Sequence, residues 1–541
     1  MGVLPVVPGT WLVSFHGTGD GSMQTGKVTG YVLILCLVLI GCAFLAGCTR
    51  KGPDAGSMNE SSVVTTDVGS VSGLNEDSLQ VYLGIPYAAP PTGDLRWRPP
   101  APVQPWNGTK ETTRFSPACP QPATADPSSG DIPANMSEDC LYLNVWTPAR
   151  NADEKLPVMV FVHGGAFGQG SGSSPMYNGT ALAKKGVIVV TLNYRLGVLG
   201  FFTHPDLANE SMHHTSGNYG LLDQHAALVW VQRNIGAFGG DPSRVTLFGE
   251  SAGASSILMH LVSPESTGLY RQAIIQSGPL WTNGTTVKIV DSREDAERWG
   301  LEYARLLGYT GPDTIRQMRT VSAQELVNAT PWQASSFWLT YLLKFKPTID
   351  GWLIPDSPDT LFYLHRQNPV PLIIGTNRDE GTLLAANANL TVPEYERFIR
   401  ARFGNNADAV LARYPANSTE EVQYRLERIM TDYDFSDAAK WVAGSMADIN
   451  QSTYLFRFTY AMPGQPMGVF HGSELFFVFR PPTMKPDPVS GSVSDTMMDL
   501  WVRFAKTGDP NGGMNVSWSK YTRDEGGYLD IGEVPVMKSG Y

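Results

Sequence analysis

The sequence predicts an α/β fold in which a large, mostly parallel central sheet carries helices on both faces. Three observations lead there. Short β-prone runs alternate with stretches of helical spacing along most of the chain, the pattern of strands joined by crossover helices. The runs at residues 158–163 and 187–193 are almost continuously apolar, as strands buried on both faces are. And Val245-Thr246-Leu247-Phe248 ends in Gly249-Glu250-Ser251-Ala252-Gly253, after which the chain to residue 261 is rich in Ala, Ser and Leu. A strand therefore turns sharply into a helix at Ser251.

Taken in chain order, residues 31–47 form an uncharged apolar run, preceded by Lys27 and closed by Leu45-Ala46-Gly47-Cys48. An apolar segment ending in small residues is an export signal. Its ending resembles a prokaryotic lipobox, which implies cleavage before Cys48 and a lipid on the Cys48 thiol. The other reading is an uncleaved single-span anchor, at the short limit for crossing a bilayer and with Arg50 and Lys51 opposing its orientation. Either reading puts the body outside the cytoplasm, held to a membrane through the N-terminus only. The 22 residues before Met23 do not look like a leader, and Met23 is a candidate start. Residues 49–62 read as a flexible tether.

Eleven of the 23 asparagines open an Asn-x-Ser/Thr sequon, where about three or four are expected at ordinary Ser and Thr abundance. The excess points to a glycosylated, exported surface. Of the five cysteines, Cys36 and Cys42 lie in the apolar run and Cys48 closes it. That leaves Cys119 and Cys140, two thiols that in an exported chain read as one disulfide.

Residues 81–87 read as a strand, followed by a Pro-rich segment to residue 102, and residues 141–146 as a further strand. Residues 219–234 have helical spacing at Leu222, Ala226, Val229 and Trp230. Gly239-Gly240-Asp241-Pro242 reads as a loop before the Val245 strand, and residues 271–276 and 371–375 as further strands. Residues 291–345 are helix-rich with charged faces, and are expected to form an insertion capping one edge of the site. Residues 495–505 read as a late helix. Apolar residues make up 42% of the chain and charged residues 17%, ample for a core. The formal net charge of −11 without a long basic run gives no footprint for nucleic acid.

The chemistry starts at Ser251. A strained turn lifts the serine side chain clear of the backbone with a helix N-terminus behind it. A serine hydroxyl needs a general base, and the base needs an orienting acid; around such an elbow the chain order is serine, acid, histidine. Only His260, His365 and His471 follow Ser251. His260 lies in the helix leaving the elbow, facing away from the serine tip. His365 falls in a surface helix. His471, in Phe470-His471-Gly472-Ser473-Glu474, is on a loop and is the position that can carry a base. The acid should follow a later strand, and Asp379-Glu380-Gly381 follows residues 371–375; position alone leaves Asp379 and Glu380 both open. His163-Gly164-Gly165 follows a buried strand, as an oxyanion donor loop does. Gly164 and Gly165 are expected as N–H donors, with Ala252 as the third.

These residues resemble the type-B carboxylesterase/cholinesterase branch of the α/β-hydrolases. Phe238-Gly239-Gly240, the four residues 241–244 and then residues 245–253 match its serine signature. Glu138-Asp139-Cys140-Leu141-Tyr142-Leu143-Asn144-Val145 matches its second signature, and Asn218-Tyr219-Gly220-Leu221-Leu222-Asp223-Gln224 is similar to a third family segment. The resemblance implies an α/β-hydrolase organised as a signal or anchor at 1–48, a tether at 49–62 and a catalytic domain at 63–541. It implies Glu380 as the triad acid, His471 as the base, a Cys119–Cys140 bridge, the ion pairs Arg96–Glu138 and Arg195–Asp223, and Glu250 bordering the pocket. It implies a small-molecule ester substrate and no metal or other cofactor. Cholinesterases carry a tryptophan on the disulfide loop that stacks on quaternary ammonium; here residues 120–139 hold no aromatic residue. A general carboxylesterase is therefore expected rather than a choline-specific one. The alternative is a non-catalytic cholinesterase-like adhesion or binding protein, a class that has typically lost triad residues.

Overall fold

Along the chain, pairs of strands are linked by helices that pack back onto the sheet they have just left. The computed structural model describes residues 62–122, 135–278, 289–330, 344–386, 388–449, 452–513 and 516–541. Cys48, the apolar run and nearly all of the tether lie outside the described residues. The described body falls within one unit, Met58–Tyr541.

Three strands, β1 (Val63–Thr66), β2 (Gly69–Ser72) and, further along, β5 (Thr109–Glu111), make a small separate sheet. The main sheet holds β3 (Leu74–Glu76), β4 (Leu79–Pro86), β6 (Tyr142–Thr147), β7 (Leu156–Val162), β8 (Ile188–Leu192), β9 (Gly240–Glu250) and β10 (Gln272–Gln276). It is completed by β11 (Leu372–Asn377), β12 (Thr453–Phe458), β13 (Gly527–Ile531) and β14 (Pro535–Ser539). Their order is β14-β13-β12-β11-β10-β9-β7-β8-β6-β4-β3. The run from β8 to β13 is parallel throughout. Antiparallel strands close both edges.

Period-two alternation sorts each central strand between two cores. Val158, Val160 and Val162 of β7 face the cluster that includes the helices Tyr219–Asn234 and Ala252–Val262. Met159 and Phe161 face the opposite cluster, with Phe248, Ile274, Ile373 and the helix Pro488–Thr507. Both faces are covered, which is why the β7 and β8 runs are apolar without a break for solvent. The sequence expectation of a loop at residues 239–242 needs correction. Gly240 already pairs with Leu156, and the register shifts before Val245 meets Val158. The intervening residues form an irregularity in β9 rather than a free loop.

The helix-rich stretch expected at residues 291–345 contains Arg293–Leu306, Thr314–Met318 and Ala323–Ala329. It packs on Phe202 through Tyr303 and Phe345. Arg96 ties it down, donating to the carbonyls of Met318, Arg319 and Val321 while pairing with Glu138 at 2.6 Å. A second helical insertion, unforeseen from the sequence, lies between β11 and β12. It includes Val392–Phe403, Ala407–Arg413, Thr419–Ile429, a π-helical turn at Met430–Ser436, and Asp437–Ala447. Tyr395, Ile399, Val422, Leu426 and Ile429 give it a core of its own.

Cys119 and Cys140 are bonded and buried, next to Glu138 of the Arg96 pair. A cross-link closing a loop of this length, 21 residues apart, removes about 3 kcal/mol of unfolded-state entropy. A non-reduced digest should therefore yield the linked Cys119–Cys140 peptide by mass spectrometry, and Cys140→Ser should lower unfolding free energy by about that amount. Alkylation of both thiols in the folded, unreduced protein would contradict the bridge.

Candidate active site

The parallel strands end on one side of the sheet, and the sequence-predicted site residues follow those ends. Gly164 and Gly165 follow β7, Ser251 follows β9, Glu380 follows β11 and His471 follows β12. β7 is also where the winding direction changes, since β8 lies on one side of it and β9 on the other. Crevices at such switch points are where open α/β sheets hold ligands.

Ser251 joins β9 to the helix Ala252–Val262 with φ 55° and ψ −123°. A non-glycine residue there carries strain on the order of 1–3 kcal/mol. Its N–H is held by the carbonyl of Gln276 at 3.0 Å. The flanking glycines have a steric reason: a Cβ on Gly253 would lie 2.0 Å from the Val162 carbonyl oxygen, and one on Gly249 2.8 Å from the same atom.

Ser251 Oγ is 2.8 Å from His471 Nε2, and His471 Nδ1 is 2.6 Å from Glu380 Oε2. In the neutral ring the proton sits on Nδ1, facing the Glu380 carboxyl, and Nε2 accepts from the serine O–H. Glu380 is fully buried, and its other oxygen accepts from the Asn377 N–H at 2.7 Å. Asp379, the rival by position, faces elsewhere: its carboxylate accepts from Val469 N–H at 2.9 Å and pairs with Arg378. His260 is buried and bonded to Gln224 and Ser266. His365 is exposed in the turn after the helix Pro358–Tyr363, not within a helix as expected.

In the loop after β7, Gly164 is buried where a Cβ would lie 2.6 Å from Glu250 Oε2 and 3.0 Å from Ser251 Cβ. Gly165 and Ala166 are only half-buried, and Ala166 and Phe167 have φ near 55°. Two contacts brace the loop. His163 donates from Nδ1 to the Gly164 carbonyl at 2.8 Å, and Tyr194 stacks on the His163 ring while its O–H donates to the His163 carbonyl. Burial pushes the His163 pKa down to about 4, so that ring is neutral in ordinary buffers.

Several members of the site were not foreseen. Glu474 is fully buried, accepting from Gln276 Nε2 at 3.1 Å and Asn377 Nδ2 at 2.5 Å. Trp501 Nε1 donates to the other end of the Gln276 amide. Phe435, from the π-helical turn, packs 5.0 Å from the His471 ring. Glu474 was legible as the one acid in an aromatic stretch; Phe435 and Trp501 carried no local signal. Glu250 Oε1 is 3.3 Å from His471 Nε2. Burial alone would depress the His471 pKa, but Glu250, Glu380 and Glu474 outweigh it and raise it above the ordinary imidazole value. Burial in turn raises Glu474 above the ordinary carboxylate range. Among the described residues, no cluster of three or more His, Cys, Asp or Glu side chains is arranged to hold a metal ion.

A model described as the carboxylesterase family matches residues 60–541. The chain is 36% identical to the fumonisin B1 esterase of Sphingopyxis macrogoltabida, over 96% of this chain and 92% of that protein. It is 33% identical to the cholinesterase of Mus musculus, over 87% of this chain and 83% of that protein. Among solved structures, one of PNB esterase aligns with a TM-score of 0.77 at 34% identity, covering 88% of this chain and 97% of the other.

The carboxylates around His471 set a pH dependence. With His471 as the expected base, only the neutral ring can accept a proton, and activity should rise with pH as the ring loses its own. Neutralising Glu250 removes a charge that favours the imidazolium. Glu250→Gln should therefore move the ascending limb of the kcat/KM profile to lower pH, measured on a soluble ester across the pH range.

Proposed function

The chain belongs to the carboxylesterase family and hydrolyses carboxylic esters, and we propose that it does so through an acyl intermediate on Ser251. The supporting observation is the continuous line of contacts Ser251 Oγ–His471 Nε2 and His471 Nδ1–Glu380 Oε2, at 2.8 and 2.6 Å.

In this reading Ser251 attacks the ester carbonyl while His471 accepts its proton at Nε2. Glu380 keeps the proton of the neutral ring on Nδ1 and offsets the positive charge of the imidazolium that forms. The developing oxyanion is met by the N–H groups of Gly164, Gly165 and Ala252, with Ala166 a further candidate on the same loop. One such donor is worth about 3 kcal/mol of transition-state stabilisation. His471 returns the proton to the leaving alcohol. Water then attacks the acyl-serine by the same base, and the acid leaves. Glu250, against both Gly164 and His471, borders the reacting atoms. Nothing supports the non-catalytic alternative. The lack of aromatic residues at 120–139 favours a general carboxylesterase over a choline-selective one, although one relative carries the name cholinesterase.

The remaining parts of the organisation are also proposals. A catalytic domain at 63–541 follows a tether at 49–62 and an export segment at 1–48, lipidated at Cys48. No helix of the described residues is long and apolar enough to cross a membrane. Export with glycosylation draws support from sequon asparagines Asn107, Asn135, Asn209, Asn328, Asn389 and Asn417, all exposed.

The triad and the anchor are tested separately. Ser251→Ala and His471→Ala should each abolish turnover in a folded protein, and Glu380→Gln should keep a trace, because the triad acts as a unit. A fluorophosphonate should label the wild type at Ser251, and aryl esters should turn over faster than choline esters of the same acyl chain. Near-normal turnover by folded His471→Ala would remove the base assignment. For the anchor, Cys48→Ser should block lipid attachment and the shift of the protein to the membrane fraction. An unchanged mature mass and unchanged fractionation would exclude lipidation there.

A further inference from the structure

Asp379 neighbours the proposed acid, yet its carboxylate faces the loop that carries the base. We propose that Asp379 is a positioning residue, clasping that loop at Val469 so that the His471 ring is held between Ser251 and Glu380; this rests on the triad reading above.

His471 sits on no regular element. β12 ends at Phe458, and the next helix begins at Leu475. A ring on such a segment keeps two hydrogen-bond partners only if the loop is fixed elsewhere, and misplacement by about 1 Å costs on the order of 100-fold in rate. The fixing contact is reciprocal. The Asp379 N–H donates to the Val469 carbonyl at 3.0 Å, and the Val469 N–H donates to Asp379 Oδ2 at 2.9 Å. Two bonds between the same two residues set both the height and the rotation of the chain just before His471.

The surroundings are built for this contact. Gly468 has φ +67°, and a Cβ there would lie 2.5 Å from Asp379 Oδ2, so the approach admits only glycine. Thr382 Oγ1 lies within reach of the carbonyls of both Asp379 and Met467, at 2.7 and 2.9 Å. Arg378 pairs with the same carboxylate at 2.8 Å, and its backbone N–H donates to the Phe458 carbonyl at 3.0 Å. Asp379 thus accepts from the strand end on one side and from the base loop on the other. An ordinary half-exposed ion pair with Arg378 would contribute little and would not involve Val469.

The test compares Asp379→Ala and Asp379→Asn with Ser251→Ala and His471→Ala, each checked for folding by thermal denaturation. Asp379→Ala should lower kcat on the order of 10- to 100-fold, with KM within about twofold. Asp379→Asn keeps an oxygen that can accept from Val469, and should recover kcat to within about threefold of wild type. Turnover retained by Ser251→Ala or His471→Ala overturns the triad reading. Loss there, with wild-type kcat in folded Asp379→Ala, overturns the clasp alone. The clasp also falls if Asn is as poor as Ala, or if the activity lost by Ala only matches its unfolded fraction. Should Asp379→Ala not fold, Gly468→Ala takes its place: it must lower kcat at unchanged KM, and wild-type kcat overturns the proposal.

Discussion

The constraint on which the site depends is the passage of the elbow helix across the end of β7, where a Cβ on Gly253 would lie 2.0 Å from the Val162 carbonyl oxygen. Because β7 and β9 are ladder neighbours, this approach brings the loop after one strand against the residue after the other. Gly164 is pressed to Ser251 as a result, and no side chain would fit between them. The left-handed backbone of Ser251 survives because β9, the Gln276 carbonyl and a fully buried helix fix it from three directions. The strain belongs to the arrangement that sets the Ser251 hydroxyl against His471.

Around His471, the structure tolerates an expensive concentration of buried carboxyl groups. Three carboxylates, Glu250, Glu380 and Glu474, surround one imidazole. Left unpaired, any one of them would cost several kcal/mol to bury. Each oxygen of Glu474 and Glu380 has a donor: the amides of Gln276 and Asn377, the Asn377 N–H, and the ring itself. Asn377 is the hinge of this network, since it also donates to the Phe470 carbonyl. The ends of β10 and β11 and the loop that carries His471 thereby become one hydrogen-bonded unit, and the surrounding carboxylates favour the protonated imidazole.

The two helical insertions play different parts. The first is tied to the disulfide region by the buried Arg96, which links Glu138 to three carbonyls of the insertion. The second has its own apolar core and reaches the site through Phe435, which shields one side of the His471 ring. It is tied to the turn that carries Glu380, where the Gly381 N–H donates to Thr431 Oγ1 and leaves no room for a Cβ beneath the Glu427 carbonyl.

Much of this was legible in the amino-acid sequence, for local reasons. Strands buried on both faces need unbroken apolar runs, the elbow needs glycines around its serine, and of the three histidines after Ser251 the one on a loop is the one that meets its hydroxyl. The family resemblance then favoured Glu380 over Asp379, which composition and spacing could not separate. Only the tertiary structure decided the rest. Adjacent side chains in a tight turn diverge, so one carboxylate meets the imidazole and the other meets the Val469 backbone. Glu474, Gln276 and Trp501 converge from segments far apart in the chain, and no local pattern records that they touch. The second insertion is set by amphipathic helices that bury their faces against one another, a pairing that exists only once the chain has folded.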